Sequence, residues 1–425
     1  MSQIMNKRSI LCFLVVSVCL SVNTHVAEAI ERKQAQFSTN NNYIIAPAPY
    51  SIPGIGQGFL LVAYAGNVFE GYTDLFITKT IGDVEGLFYA VRDLHLIDER
   101  LYFEMFSGDI DKAAVVSYKE RGMDSDKDEY NILESSDIYF RGGSTTLSYF
   151  DRMLELSFQY AYGAASFDRI LDKDGIVVAE GSEQKNEFSR YLYTMMLDYT
   201  DDWQDPRKGI RLEASYENAG LKNSSDSTPE QYLVDYNLTI YIPILSFSTL
   251  ALNYFQSDAF ITKEGETDLS KIEQDLEIDC TGRSDEEACE SAKQAIIQNT
   301  YAENKYGTAS NLGGAQRLRG YPQNRFRAAH QRFYGAEFRW NLSDENSPFD
   351  LFFIKDIRTG TQLAFFYETA TSADLPEDLA KTWKSNYGTG FRLITRSGFV
   401  YRFDIAQGDE GVQIAAFFNY PWEGF

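Results

Sequence analysis

Histidine and cysteine are nearly absent, with three of the one and four of the other in 425 residues. Beyond the first 30 positions only His95, His330, Cys280 and Cys289 remain, too dispersed a set for a four-ligand zinc site. Neither a G-x-S-x-G elbow nor a phosphate-cradling glycine loop followed by lysine accompanies them, so the chain is not expected to be an enzyme or to need a cofactor. Basic residues are also in deficit, 39 Lys and Arg against 62 Asp and Glu, and a net charge of -23 excludes nucleic acid as a partner. Past residue 30 no stretch approaches the 18 or so consecutive apolar residues of a membrane-spanning helix. What is abundant is aromatic: 28 Tyr and 30 Phe against ten Pro, side chains that favour strands and membrane interfaces.

The N-terminus points to export. Lys7 and Arg8 precede an apolar run from Ile10 to Val22, and Ala27 and Ala29 supply the small residues that a signal peptidase requires, so residues 1–29 are expected to be a cleaved signal peptide. Cys19 is not a lipoprotein cysteine on this reading, because Val18 fills the place where a small residue is wanted. Cleavage removes Lys7, Arg8 and Glu28, leaving 37 basic and 61 acidic residues. In an exported chain Cys280 and Cys289, nine apart, are expected to form a local disulfide. Ser284 and Glu287 resemble a capping box that opens a helix from about Asp285 to Ile297.

The dominant pattern is period-two alternation in runs of about 8–12 residues. Ile210, Leu212, Ala214 and Tyr216 alternate with Arg211, Glu213, Ser215 and Glu217; Phe399, Tyr401, Phe403 and Ile405 alternate with Arg402 and Asp404. Charges on the second face of strand after strand would each cost several kcal/mol in a dry core, roughly, whereas a wet lumen accepts them. The expected fold is therefore all-β, a transmembrane antiparallel barrel of about sixteen strands over residues 57–425. The first of these strands begins near 58, two more near 100 and 112, and the last near 412. That last strand runs through Val412, Ile414, Ala416, Phe418 and Tyr420 and ends on Trp422 at a membrane interface. Residues 30–56 are read as a short periplasmic or lumenal segment, and residues 258–330 as a long functional loop folded into the lumen.

Within that loop the chain reads Leu318-Arg319-Gly320-Tyr321. This resembles the [VL]-R-G-[FY] signature of the outer-membrane assembly and translocation superfamily that includes BamA, TamA and the two-partner secretion transporters. Further matches follow in family order. Asp198, Asp201, Asp202 and Asp205-Pro206 through Gly209 look like its acidic hairpin; Tyr334 to Arg339 looks like the strand carrying an inward glutamate, Glu337. Phe365 to Glu368 looks like the next strand, with Glu368 where the family usually has Asp and Ala370 where it has Gly. The resemblance covers about residues 190–425 and leaves no room for periplasmic POTRA repeats.

The loop can also be argued from chemistry. A guanidinium presents five donors and keeps its proton, so within a lumen Arg319 needs carboxylates, and Glu337 and Glu368 lie on inward faces. Pairing with these two is expected, with Gly320 permitting a tight turn. The acidic hairpin is read as a solvated turn shaped by Pro206 and Gly209 rather than as a calcium or magnesium site, and no metal is assigned. The resemblance implies an outer-membrane protein of a Gram-negative bacterium, in contact with outer-membrane lipid. It would assist insertion or translocation of protein or lipid, acting on unfolded outer-membrane or secreted clients with a separate periplasmic partner. Alternatives are a plugged pore for small solutes and a non-catalytic surface antigen or adhesin.

Overall fold

The computed structural model describes residues 30–425 except 38, 182–184, 222–227, 277, 283–284, 344–347, 396–398 and 423–425. The signal-peptide segment and Ser284 of the capping box lie outside the described residues.

The first half of the chain forms β1 (Asn42–Ile52), β2 (Gly56–Val68), β3 (Thr73–Gly82), β4 (Glu85–Ile97), β5 (Leu101–Tyr118), β6 (Tyr130–Tyr149), β7 (Leu154–Asp172), β8 (Val177–Glu180) and β9 (Lys185–Thr200). Next come β10 (Gly209–Leu221), β11 (Glu230–Leu245), β12 (Ser248–Lys263), α1 (Leu269–Asp275) and α2 (Glu286–Tyr306). The chain then forms β13 (His330–Ser343), β14 (Pro348–Leu351), β15 (Ile354–Ala373), β16 (Lys384–Thr395), β17 (Val400–Gly408) and β18 (Gly411–Phe418). Each strand pairs antiparallel with the next, except that β8 and β14 are four-residue arms on β7 and β15, so β9 pairs with β7 and β15 with β13. Sixteen full strands remain, and β18 meets β1 at Ser51 and Ala416 to close the barrel.

The exposure pattern inverts that of a soluble protein. On β9 the side chains of Tyr191, Tyr193, Met195 and Leu197 face outward, while Leu192, Asp198 and Thr200 are buried. On β17 Phe403 and Ile405 are outside and Arg402 and Asp404 inside. An apolar exterior around a polar interior, in a sheet that returns to its first strand, is the solution a bilayer demands, because lipid leaves an open edge unsatisfied. Among the described residues no helix is long and apolar enough to cross a membrane.

One end of the barrel carries mostly short turns, such as 98–100, 150–153 and 246–247, together with residues 32–41 and 419–422. The other carries the long connections, 119–129, 264–329 and 374–383. β5, β6 and β7, at 18, 20 and 19 residues, outrun the roughly 9–11 that a bilayer needs.

Four details differ from the sequence reading. The first strand starts at Asn42, inside the segment expected to precede the barrel, because Pro47 and Pro49 mask its alternation. A single unbroken β5 replaces the two strands expected near 100 and 112, so the count of sixteen survives through offsetting differences. The helix after Asp285 runs to Tyr306, packing Ala292 against Ile170, Val178 and Ala179. The last strand stops at Phe418, and Trp422, expected at the membrane interface, is turned inward with 1% of its surface exposed.

Candidate functional site

The connection from β12 to β13 contains α1, α2 and the Cys280–Cys289 disulfide, then a narrow loop pinned by reciprocal backbone bonds between Leu312 and Phe326. Its tip is fully buried: Leu312, Leu318, Tyr321 and Phe326 pack with Phe255, Phe333 and Trp422. Burial of this apolar wedge, roughly 1.5–3 kcal/mol per large side chain, holds the tip against the strands. The turn is made by Leu318, at φ +59°, and closed by Tyr321 N–H donating to the Leu318 carbonyl at 3.1 Å. Gly320 does not take a left-handed conformation. It is required for close approach instead, since a Cβ there would lie 2.5 Å from Asn386 Cβ and 2.8 Å from Gly408 N.

Arg319 projects from this tip onto three carboxylates. Its Nε donates to Glu368 at 2.9 Å, and its two terminal nitrogens donate to Asp404 at 3.1 Å and Glu337 at 3.0 Å. Its backbone N–H reaches the other Glu368 oxygen at 2.8 Å, and the guanidinium lies 3.4 Å from the Phe366 ring centroid. Sequence reasoning named Glu337 and Glu368 but did not assign Asp404, although its inward face was legible. It also missed three more guanidinium groups. Arg339 and Arg392 bind Glu337 at 2.9 and 2.8 Å, Arg392 reaches Asp404 at 3.2 Å, and Arg402 binds Asp404. Arg392 and Asp404 meet across Gly390, where a Cβ would sit 1.9 Å from the Asp404 carboxylate. Four buried cations thus face three buried anions, contributed by alternate positions of β13, β15, β16 and β17 and by one loop residue. Glu368 also accepts from Trp422 Nε1 at 2.8 Å and Asn386 Nδ2 at 3.1 Å. Tyr321 Oη lies 2.7 Å from Asp409 Oδ1 and 3.1 Å from the Ser385 carbonyl oxygen.

The acidic hairpin lies at the other end, between β9 and β10. Asp198, on β9, is salt-bridged to Arg32 and Arg211, each at 3.3 Å. Asp201 accepts the backbone N–H groups of Arg207 and Lys208, and Asp205 binds Arg207 at 3.0 Å and the Tyr420 hydroxyl at 2.7 Å. Burial pushes the Asp205 carboxyl up, but Lys33, Arg207 and the Tyr420 hydrogen bond outweigh it and hold the group below its ordinary value. Pro206 occupies the turn, and Gly209, at φ +117°, leaves room for the Tyr199 carbonyl. The turn is buried under basic side chains rather than solvated, and among the described residues no His/Cys/Asp/Glu group is arranged to hold a metal. His330 pairs with Asp258 at 2.7 Å where β12 and β13 meet the long connection.

Solved structures similar to this chain include three outer-membrane barrel proteins. BamA from Haemophilus ducreyi lacking POTRA domains 1-3 matches with a TM-score of 0.48 at 10% identity, over 89% of this chain and 69% of that one. CdiB from Escherichia coli matches with a TM-score of 0.48 at 8% identity, over 90% and 69% of the two chains. CdiB from Acinetobacter baumannii matches with a TM-score of 0.47 at 10% identity, and this chain spans 59% of its length. No protein-family model and no curated protein matches the sequence.

Proposed function

We propose that this chain is an exported outer-membrane barrel that assists insertion or passage of protein clients across the outer membrane, with its short-turn end in the periplasm. The observation that carries this reading is the closing seam. β1 pairs with β2 at eleven positions but with β18 at one, Ser51 opposite Ala416. Ile45 N–H points away from β2, donating to the Phe353 carbonyl at 2.9 Å, so by strand periodicity positions 47 and 49 face the seam as well. Both are proline and have no N–H to offer, which weakens the ladder there. β18 is also only eight residues long, short of the roughly 9–11 of a spanning strand, which favours a thinned bilayer beside the seam. A client strand would add by main-chain hydrogen bonding to the β1 edge between Ala46 and Tyr50, the stretch between its pairings with β15 and with β18. The clients are unfolded outer-membrane or secreted proteins, and a separate periplasmic partner would deliver them.

The test is a cross-link at the one ladder pair. Ser51→Cys with Ala416→Cys joins the strands, whose facing Cα atoms are within disulfide reach. Ala63, on β2, is no alternative for this lock, since it faces Ile45 on β1 and Ile77 on β3. In liposomes the reduced protein should accelerate folding of a small unfolded barrel protein and the oxidised protein should not. Equal acceleration in both sinks the seam, and no acceleration in liposomes that leak small cations supports a pore instead.

A further inference from the structure

Residues 32–37 run across the short-turn mouth of the barrel without joining any strand. Arg32 donates to the carbonyls of Thr200 and Asp151 at 2.9 and 2.8 Å and pairs with Asp198. The Lys33 ammonium donates to the Asp205 carbonyl at 2.7 Å, its backbone N–H to the Asp201 carbonyl at 2.8 Å, and Gln34 donates to Asp202 at 3.1 Å. Gln36 accepts from Trp203 N–H at 2.7 Å. Phe37, 4% exposed, sits edge-on to His95 and Tyr102, and Arg152 is sandwiched between its ring at 4.6 Å and that of Trp203 at 3.9 Å.

The surface beneath these residues has its own supports. Asp198 is also held by Arg211 and by Thr200 Oγ1 at 2.7 Å, the second Asp202 oxygen accepts Gln204 N–H, and Arg152 is fixed by Glu155 at 2.7 Å. Phe150, Asp151 and Arg152 all have φ between +54° and +63°, a left-handed run of non-glycine residues that costs energy and aims Arg152 inward. What remains facing the strap is a row of acceptors followed by an aromatic slot. Arg152 and Trp203 of this slot also wall a polar chamber of about 290 Å³, together with Thr194 and Arg211.

We infer that this rim is a docking surface for an extended basic segment that ends in an aromatic residue, with residues 32–37 as its resident occupant and the like segment of another protein as its exchangeable partner. While the rim is occupied, Arg152 and Trp203, which also wall the chamber, are held in place and entry from this mouth is narrowed. The inference needs only the closed barrel and stands or falls separately from assembly activity.

The test uses the chain from residue 30 onward in detergent, which lacks Cys12 and Cys19, with Thr194→Cys as a reporter in the chamber and Cys280 and Cys289 bonded to each other. A small water-soluble thiol reagent should label it slowly, and about tenfold or more faster when Arg32→Ala, Lys33→Ala and Phe37→Ala are combined. A synthetic peptide of residues 30–41 should restore slow labelling in that variant, and a scrambled peptide should not. Equal rates with and without the substitutions overturn narrowing by the strap; fast labelling that the peptide never slows overturns the docking surface. If the triple variant fails to fold, Phe37→Ala alone keeps every strap charge and carries the same two readouts.

Discussion

Removing the Arg319 side chain should cost far more at one of its three carboxylates than at the others. Glu337 would keep Arg339 and Arg392, and Asp404 would keep Arg392 and Arg402. Glu368 would keep only neutral donors, Trp422, Asn386 and the backbone N–H, because among the described residues Arg319 is its sole ion-pair partner. Side chains at this site are 0–1% exposed, so an orphaned carboxylate there costs about 3–5 kcal/mol, against about 1–2 kcal/mol for hydrogen bonds lost from a neutral group. Arg319→Ala should therefore loosen the loop, raising the rate of native-state proteolysis within residues 300–330 by about a hundredfold or more. Adding Glu368→Gln should recover about 2–3 kcal/mol of that loss, since the amide can accept from Trp422 without a charge to neutralise. Glu337→Gln in the same background should recover nothing. Equal rescue by both, or rescue by neither, refutes the assignment of Glu368 as the dependent partner.

Other substitutions probe the surrounding packing. Gly335→Ala places a Cβ 2.5 Å from the Trp422 ring and should expel that ring, lowering thermal stability by about 1–3 kcal/mol while the barrel still forms; an unchanged melting temperature counts against the tight fit. The Asp205 carboxyl, held below its ordinary 3.8, binds its proton less readily folded than unfolded. Its stabilising contribution is thus complete above that value and is lost as pH falls through 3.8 and below. The urea midpoint should fall more steeply below pH 4, roughly, in the parent than in Asp205→Asn, and identical profiles would remove Asp205 from the account. Reducing Cys280–Cys289 relaxes a nine-residue closure worth about 2–3 kcal/mol locally, so α1 and α2 should become protease-sensitive while barrel unfolding is unmoved.

The barrel was legible because alternation is written along each strand: Ile210 to Glu217 states both faces and the environment of each. Boundaries were less legible where a local rule was broken. Pro47 and Pro49 read as loop, yet they sit on an edge where a missing N–H is tolerated. The continuation of β18 read as strand through Trp422, yet Asn419 at φ +66° turns the chain into the lumen, where Glu368 and the loop tip compete successfully for it. Period-two patterning identifies which residues share a face; it carries no information on whether a distant carboxylate captures one of them. The same limit explains the site. Inward faces for Glu337, Glu368 and Asp404 followed from alternation, whereas their division among four arginines depends on strand stagger around the barrel, a property of closure rather than of any one segment.

Glu368 joins the loop to the end of the chain, and this has a thermodynamic consequence for the seam. One of its oxygens accepts from both Arg319 Nε and Trp422 Nε1, while Trp422 N–H donates to the Gln316 carbonyl and Arg317 donates to the Trp422 carbonyl. The tail is therefore bound to the loop and to the loop's anchor together. If the tail left the lumen and continued β18 in its present register, Pro421 would face Ala46 and Trp422 would face Ile45, where it would displace the Phe353–Ile354 segment that now pairs with the start of β1. Loop and tail are then linked, since each loses binding partners when the other departs. Cysteines at Ala46→Cys and Pro421→Cys should remain unlinked under mild oxidation in the parent. They should cross-link when Arg319→Ala is added, because the loop no longer holds Trp422 in place. Cross-linking of equal yield in both backgrounds would mean that the tail exchanges freely, and that the arginine network governs the loop alone.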